Sequence, residues 1–373
     1  MLIVHASVLM DNEIAPQMNV RLEEGGIRAI GADLSPLAEE AVLDLHGDYL
    51  LPGFVDVHTH ACMGWDTMQG EAAIRAMSRH LYAGGVAAFL PTTMSADERD
   101  THQAVTGVRA VMDCPESKGA RVLGAHMEAP FLNPAKAGAQ RPECLCPPDW
   151  NAFLRMTGGD ISAVRLITLA PELPGAEEFI RKAVAAGIRV SLGHSTATAE
   201  QAHLAADWGA DHVTHTFNAQ PPLHHRDPGL TGVALSDDRL YAEFIADGIH
   251  LHGDVVRLLC CAKGADKAVA ITDAMEAAGM PEGEYNLGGQ PVTVKDGQAR
   301  LANGTLAGSV LTMRKALWNL IHRFGIAPVD AVRMCTATPA ESVGETVCGH
   351  MTVGSPAPLS RWSKDWRFVS IID

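Results

Sequence analysis

From residue 51 onward the chain repeats one pattern: an apolar run, a polar tip, then a stretch with helical spacing of its apolar positions. LPGFVDVHTH precedes EAAIRAMSRHLYAGG, GVAAFLPTTM precedes ADERDTHQAVTGVRAVMD, and RVLGAHMEAPF leads into a long proline-rich loop. AVRLITLAPE is followed by AEEFIRKAVAAG, and GIRVSLGHS by TAEQAHLAADWGA. HVTHTFNA opens a second long loop, LYAEFIADGIH precedes GDVVRLLCCAKG, and KAVAITDA ends the series. Eight strands between residues 51 and 274, mostly alternating with helices, predict an α/β fold with a parallel sheet closed as a (β/α)8 TIM-type barrel. An open, doubly wound sheet is the alternative, but no GxGxxG turn follows an early strand.

The first fifty residues follow a different rule. LIVHASVLM, MNVRLEEGGIRAIG and AVLDLHGDYLLPG alternate with a period of two, and turns are expected at Asp11-Asn12 and Gly25-Gly26. Beyond residue 274 come a glycine-rich segment and VTVKDGQARLANGTLAGS, then helices expected over 311–324 and 328–336. The tail becomes strand-like again at its end. Residues 1–50 with 345–373 are therefore expected to form a small β domain, and residues 51–344 the barrel.

Composition narrows the function. Apolar residues make up 47% and charged residues 20%, as in a packed globular protein. A net charge of -15 argues against nucleic acid or an anionic membrane as partner. An anionic small molecule could bind only through local cations or backbone amides. The eight cysteines contain no CxxC pair, which suits free thiols in a reducing compartment. With no basic leader and no apolar run of membrane-spanning length, the expectation is a cytoplasmic protein.

The polar tips carry the chemistry. In such a barrel the active site lies at the C-terminal ends of the strands. Strand one ends in His58-Thr59-His60, strand three passes His126 to reach Glu128, and strand five ends in His194. Strand six ends in His215, strand seven in Asp247 and His250, and strand eight in Asp273. Two histidines at i and i+2 on a strand share a face, so His58 and His60 can reach one ion. Imidazole and carboxylate donors suit zinc, and also iron or manganese. His215 is preferred to His212 as a ligand because it lies nearer the strand end; Glu128 is preferred to His126 for the same reason. Asp273 is read as the base that takes a proton from water and passes it to a leaving amine, with a helix N-cap as the plainer alternative.

These residues sit in segments that resemble one family. PGFVDVHTH, GAHMEAPFLNPAKAGA, LGHST, THTFNA, HHRDPG, ADGIH, ITDAM and LAGS occur in the order found in N-acetylglucosamine-6-phosphate deacetylases of the amidohydrolase superfamily. The resemblance implies that Glu128, His194 and His215 are the primary ligands of a divalent metal and that Asp273 is the catalytic acid/base. His58 and His60 match the pair that holds a second ion in some members, so one or two ions are implied, with zinc the first choice. It further implies an amino-sugar phosphate as substrate, bound by Ala139, Gln140, Asn218, Ala219, Arg226, His250, Leu306, Ala307 and Gly308. A homodimer is also implied, with some phosphate contacts crossing between subunits. Three positions depart from the family: Gln140 stands where a histidine is common, Asn218-Ala219-Gln220 replaces a usual Asn-Ala-Met, and the tail reads SPAPLSRWSKDW. Another N-acyl sugar, a cyclic amide, or a barrel that binds a sugar phosphate without turnover are the remaining alternatives.

Overall fold

The computed structural model describes residues 1–10 and 13–373; the turn expected at Asp11-Asn12 lies outside them. Eight barrel strands appear where the apolar runs place them: Phe54–Thr59, Val86–Thr93, Ala125–Met127, Val164–Leu169, Arg189–Leu192, His212–Val213, Tyr241–Ile245 and Ala268–Ile271. Each pairs in parallel with the next, and Arg121–Val122 forms a short lead-in to the third. The eighth meets the first through a parallel bridge between Thr59 and Ala274, where Asp273 N donates to His58 O at 2.8 Å. Every residue of Phe54–Thr59 and of Val86–Thr93 is buried. This explains their unbroken apolar character: barrel strands are covered by the packed interior on one side and by helices on the other.

The helices Glu71–Ala83, Glu98–Asp113, Ala176–Ala185, Ala199–Trp208 and Gly253–Lys263 follow the strands as expected. Thr198 and Gln201 form a capping box at the start of Ala199–Trp208, each side chain satisfying a backbone N–H of the other. Three helices were not anticipated. Trp150–Met156 and Gly229–Ser236 lie inside the two long loops, where flanking prolines interrupt the periodicity; Ala337–Ser342 follows Pro328–Cys335 directly. The helix expected over 311–324 is α-helical only at Met313–Trp318 and widens into a π turn at Asn319–Arg323. The strand expected from HVTHTFNA shortens to two residues, because His215 takes φ +28° and the chain leaves the extended state.

Besides a two-stranded ribbon of Ala61–Cys62 with Trp65–Asp66, two larger sheets flank the barrel. Leu2–Met10, Glu13–Glu23, Gly26–Gly31, Val42–Asp44 and Tyr49–Leu51 share one sheet with Leu359–Trp362 and Phe368–Ile372. Leu359–Trp362 pairs antiparallel with Tyr49–Leu51, which runs through Pro52 and Gly53 into the first barrel strand. Gly53 is required by close approach: a Cβ there would lie 2.5 Å from the Ala87 Cβ. After the eighth barrel strand, Gly283–Leu287, Gln290–Lys295 and Gln298–Leu301 form a three-stranded antiparallel sheet. Among the described residues, no helix is long and apolar enough to cross a membrane, and all eight cysteines are free.

Candidate active site

The strand tips converge. Glu128 Oε1 lies 3.0 Å from His215 Nε2 and 3.1 Å from His194 Nε2, and those two nitrogens are 3.1 Å apart. A second group sits beside it: His60 Nε2 is 3.2 Å from Asp273 Oδ1 and 3.4 Å from His58 Nε2. Glu128 faces both groups, with Oε2 at 3.3 Å from His60 Nε2 and Oε1 at 3.5 Å from His58 Nε2. Each of the six side chains is buried.

The backbone beneath them is strained. His194, His215 and Asp273 have φ of +46°, +28° and +48°. Non-glycine residues rarely adopt such angles, and where they do the surroundings must hold them. Here barrel hydrogen bonds hold Asp273: its N donates to His58 O, and its O accepts from Ser309 N at 2.7 Å. No helix follows Asp273, so the N-cap reading does not apply.

Hydrogen bonds at the far ring nitrogens fix which atom each imidazole presents. His194 Nδ1 donates to Lys136 O at 2.8 Å, His60 Nδ1 to Thr92 O at 3.2 Å, and His58 Nδ1 to the Glu243 carboxylate at 3.1 Å. In all three rings Nε2 is therefore the atom facing the centre. His215 Nδ1 has no partner among the described residues.

Burial alone would raise the pKa of Glu128, yet the imidazoles of His58, His194, His215 and His60 hold it well below the usual carboxylate range. Asp273 is also lowered against its burial, by His58 and His60. Burial pushes the pKa of His58 and His60 down, but the carboxylates outweigh it and raise both. In the protein alone, imidazolium protons balance two ionised carboxylates; a divalent cation would satisfy the same charge. Ligands about 2.0–2.1 Å from a tetrahedral zinc lie about 3.3 Å apart, close to the edges of the Glu128–His194–His215 triangle. The donor set fits a divalent metal.

The non-ligand histidines are placed differently. His126 is fully buried, with Nε2 2.8 Å from Thr168 Oγ1 and its ring edge-on to His58, 4.5 Å between centroids. Its burial and the nearby imidazoles push its pKa well down, so it is neutral. His212 bonds Asp211 at 2.6 Å and stacks on Tyr241.

A cavity of about 490 Å³ opens over the centre. Of the expected substrate contacts, Ala139, Gln140, Asn218, Ala219, His250, Leu306 and Gly308 line it. Ala307 is fully buried outside its lining, and Arg226 is exposed, its Nη1 2.8 Å from His225 Nε2. His250 Nδ1 is 2.7 Å from Asp247 Oδ2, which raises its pKa despite burial. Gln140 is buried and committed. Its Oε1 accepts from Ser95 N at 2.7 Å, so the amide must turn its Nε2 to Glu128 Oε2, 2.6 Å away. Three contributors were not singled out from sequence: Lys136 and Arg300, which line the cavity, and Glu243 behind His58. Glu243 had a signal, as a lone carboxylate in the apolar run YAEFIA.

The Amidohydrolase family model matches residues 49–370. The chain belongs to the amidohydrolase family. This is a metal-dependent family of hydrolases acting on carbon–nitrogen bonds. The chain is 34% identical to an N-acetylglucosamine-6-phosphate deacetylase of Bacillus subtilis, covering 100% of this chain and 95% of that one. It is 36% identical to an N-acetylgalactosamine-6-phosphate deacetylase of Escherichia coli O157:H7, covering 91% and 89%. A solved N-acetyl-D-glucosamine-6-phosphate deacetylase of Mycobacterium smegmatis, a mutant in complex with N-acetyl-D-glucosamine-6-phosphate, superposes with a TM-score of 0.92 at 29% identity. That match covers 100% of this chain and 97% of that one. This amidohydrolase thus has deacetylases of two isomeric amino-sugar phosphates among its relatives.

Proposed function

We propose that this chain hydrolyses the N-acetyl amide of an amino-sugar phosphate, converting N-acetylglucosamine 6-phosphate to glucosamine 6-phosphate and acetate. The observation carrying this reading is the inward turn of three Nδ1-anchored imidazoles beside Glu128, with Asp273 at the same point. Glu128, His194 and His215 would hold the first metal, zinc by preference over iron or manganese, and His58 with His60 and Asp273 a second. When bound, such an ion supplies Lewis acidity, easing deprotonation of water and polarising the acetyl carbonyl.

The rest is work for the chain. Asp273, ionised by its imidazole neighbours, accepts a proton from the attacking water and returns it to the amine nitrogen as the C–N bond breaks. His250, held by Asp247, donates to a sugar oxygen. Asn218, Ala219, Leu306, Ala307 and Gly308 position the ring, with Ala307 acting through its backbone. Gln140 already bonds Glu128, so it shapes the acetyl pocket without a cationic group. Arg226 lies outside the chain's own cavity, and we assign it to the neighbouring subunit's site in a homodimer. A cytoplasmic location suits the free cysteines. We divide the chain into a small β domain of residues 1–50 with 345–373 and a barrel of 51–344.

The second reading, N-acetylgalactosamine 6-phosphate as substrate, is favoured by the 36% identity to an enzyme of that name. Acetate release from both sugar phosphates and from free N-acetylglucosamine, with metal analysis, separates these. Asp273→Asn is expected to keep metal at the Glu128 group and lose about 10²–10⁴-fold in kcat. An unchanged kcat would remove Asp273 from the mechanism.

A further inference from the structure

The cavity has a charge problem that the expected contacts made within one chain leave open. A phosphate monoester carries about two negative charges at neutral pH. It must enter the site of a chain whose net charge is -15. Arg226 does not line the cavity of its own chain; besides the arginine that a partner subunit would bring in a homodimer, Lys136 and Arg300 are the permanent cations that one chain supplies to its own cavity among the described residues.

Arg300 is the more telling of the two. It stands exposed on Gln298–Leu301, the last strand of the three-stranded sheet, and is one of the residues that line the cavity. Its partners are all neutral: Nε and Nη2 donate to Gln298 Oε1 at 3.0 and 2.7 Å, and Nη1 donates to Gly304 O. Three of five N–H donors are thereby used. The side chain is held in place, and two donors stay available. Among the described residues Arg300 is paired with no carboxylate, although most arginines in this acidic chain are. Its field reaches the sugar-facing His250, where it opposes the effect of Asp247. The sheet that carries it is latched across the mouth by Gln290, whose Nε2 donates to Ala139 O at 2.5 Å.

We propose that Arg300 is a specificity residue that recognises the phosphate of the substrate from within the same chain, with Lys136 as its companion in the cavity. This rests on the deacetylase reading for the identity of the substrate, but not for the anion. A pre-oriented guanidinium offers two parallel donors to phosphate oxygens, a geometry that lysine cannot copy. Recognition here separates phosphorylated from unphosphorylated sugars. Arg300 is not one of the six side chains that form the reaction centre.

The test compares the metal-loaded wild type with Arg300→Met and Arg300→Lys. For N-acetylglucosamine 6-phosphate, Arg300→Met should raise KM about 10- to 100-fold with kcat within about twofold. kcat/KM on unphosphorylated N-acetylglucosamine should stay unchanged, and Arg300→Lys should recover part of the loss. Equal losses on both sugars would mean that Arg300 merely holds its loop, and the proposal fails. Calorimetric binding of glucosamine 6-phosphate reads the same contact without turnover. If the wild type proves inert towards every N-acetyl sugar yet binds this ligand at least 10-fold tighter than Arg300→Met, the deacetylase reading falls and the phosphate contact stands. If wild type and Arg300→Met bind it alike, the phosphate contact falls whatever the activity.

Discussion

At the scale of single residues, the site is made by second partners as much as by its inward-facing atoms. Gln140 shows this best. Its amide bridges Ser95 N and Glu128 Oε2, fixing the carboxylate so that Oε1 faces His194 and His215. Outer partners of this kind are worth about 10–100-fold in metal affinity. Gln140→Ala is therefore expected to weaken metal retention by that factor in a chelator competition, with the far-ultraviolet spectrum unchanged. Equal retention would show that the imidazoles alone orient Glu128. The ligand-type residues were legible because each ends an apolar run, where a buried strand has no other use for a charge. Gln140, Glu243 and Arg300 were not legible as they are used. Their roles depend on where distant loops and strands return, and spacing along the chain does not carry that.

At the scale of elements, the alternation of apolar strand and amphipathic helix was readable because both periods are local. The three-stranded sheet Gly283–Leu301 is not evident from the sequence pattern, although Asp296-Gly297 between its last two strands is a common hairpin turn. Its strands bury only alternate residues, a weak signal beside the fully buried barrel strands. Local rules also fail where two elements touch. Gly107 lies within Glu98–Asp113, where alanine would ordinarily gain about 1 kcal/mol of helix propensity. Here a Cβ would sit 2.5 Å from Glu71 N and 2.8 Å from Gly70 C, backbone atoms at the start of Glu71–Ala83. Overpacking of this kind costs about 1–3 kcal/mol, so the clash wins. Gly107→Ala should lower the urea midpoint, and a raised midpoint would mean that the two helices separate more easily than their packing implies.

At the scale of the whole molecule, the reaction centre depends on a sheet that never touches it. Strand Tyr49–Leu51 passes through Pro52 and Gly53 into Phe54–Thr59, the strand that delivers His58. The tail strand Leu359–Trp362 clamps this junction from outside: Ser360 pairs with Leu51, and Trp362 is only 1% exposed. The Trp362 ring meets Phe54 edge-on at 6.2 Å and Phe368 at 5.6 Å, while its Nε1 donates to Ser360 Oγ. An indole so enclosed by barrel and sheet cannot be removed without a void that neither side can fill alone. Trp362→Ala is expected to cost about 3–5 kcal/mol of unfolding free energy. The loss should appear in one cooperative transition, because Phe54 and Trp362 belong to the same buried cluster. The ring touches none of the six converging side chains, so kcat at temperatures below the transition should stay close to wild type. Denaturant unfolding followed by fluorescence and by far-ultraviolet dichroism checks both parts. Two separated transitions would mean that sheet and barrel fold independently, and a cost below about 1 kcal/mol would mean that the junction is held by strand pairing and not by the tryptophan.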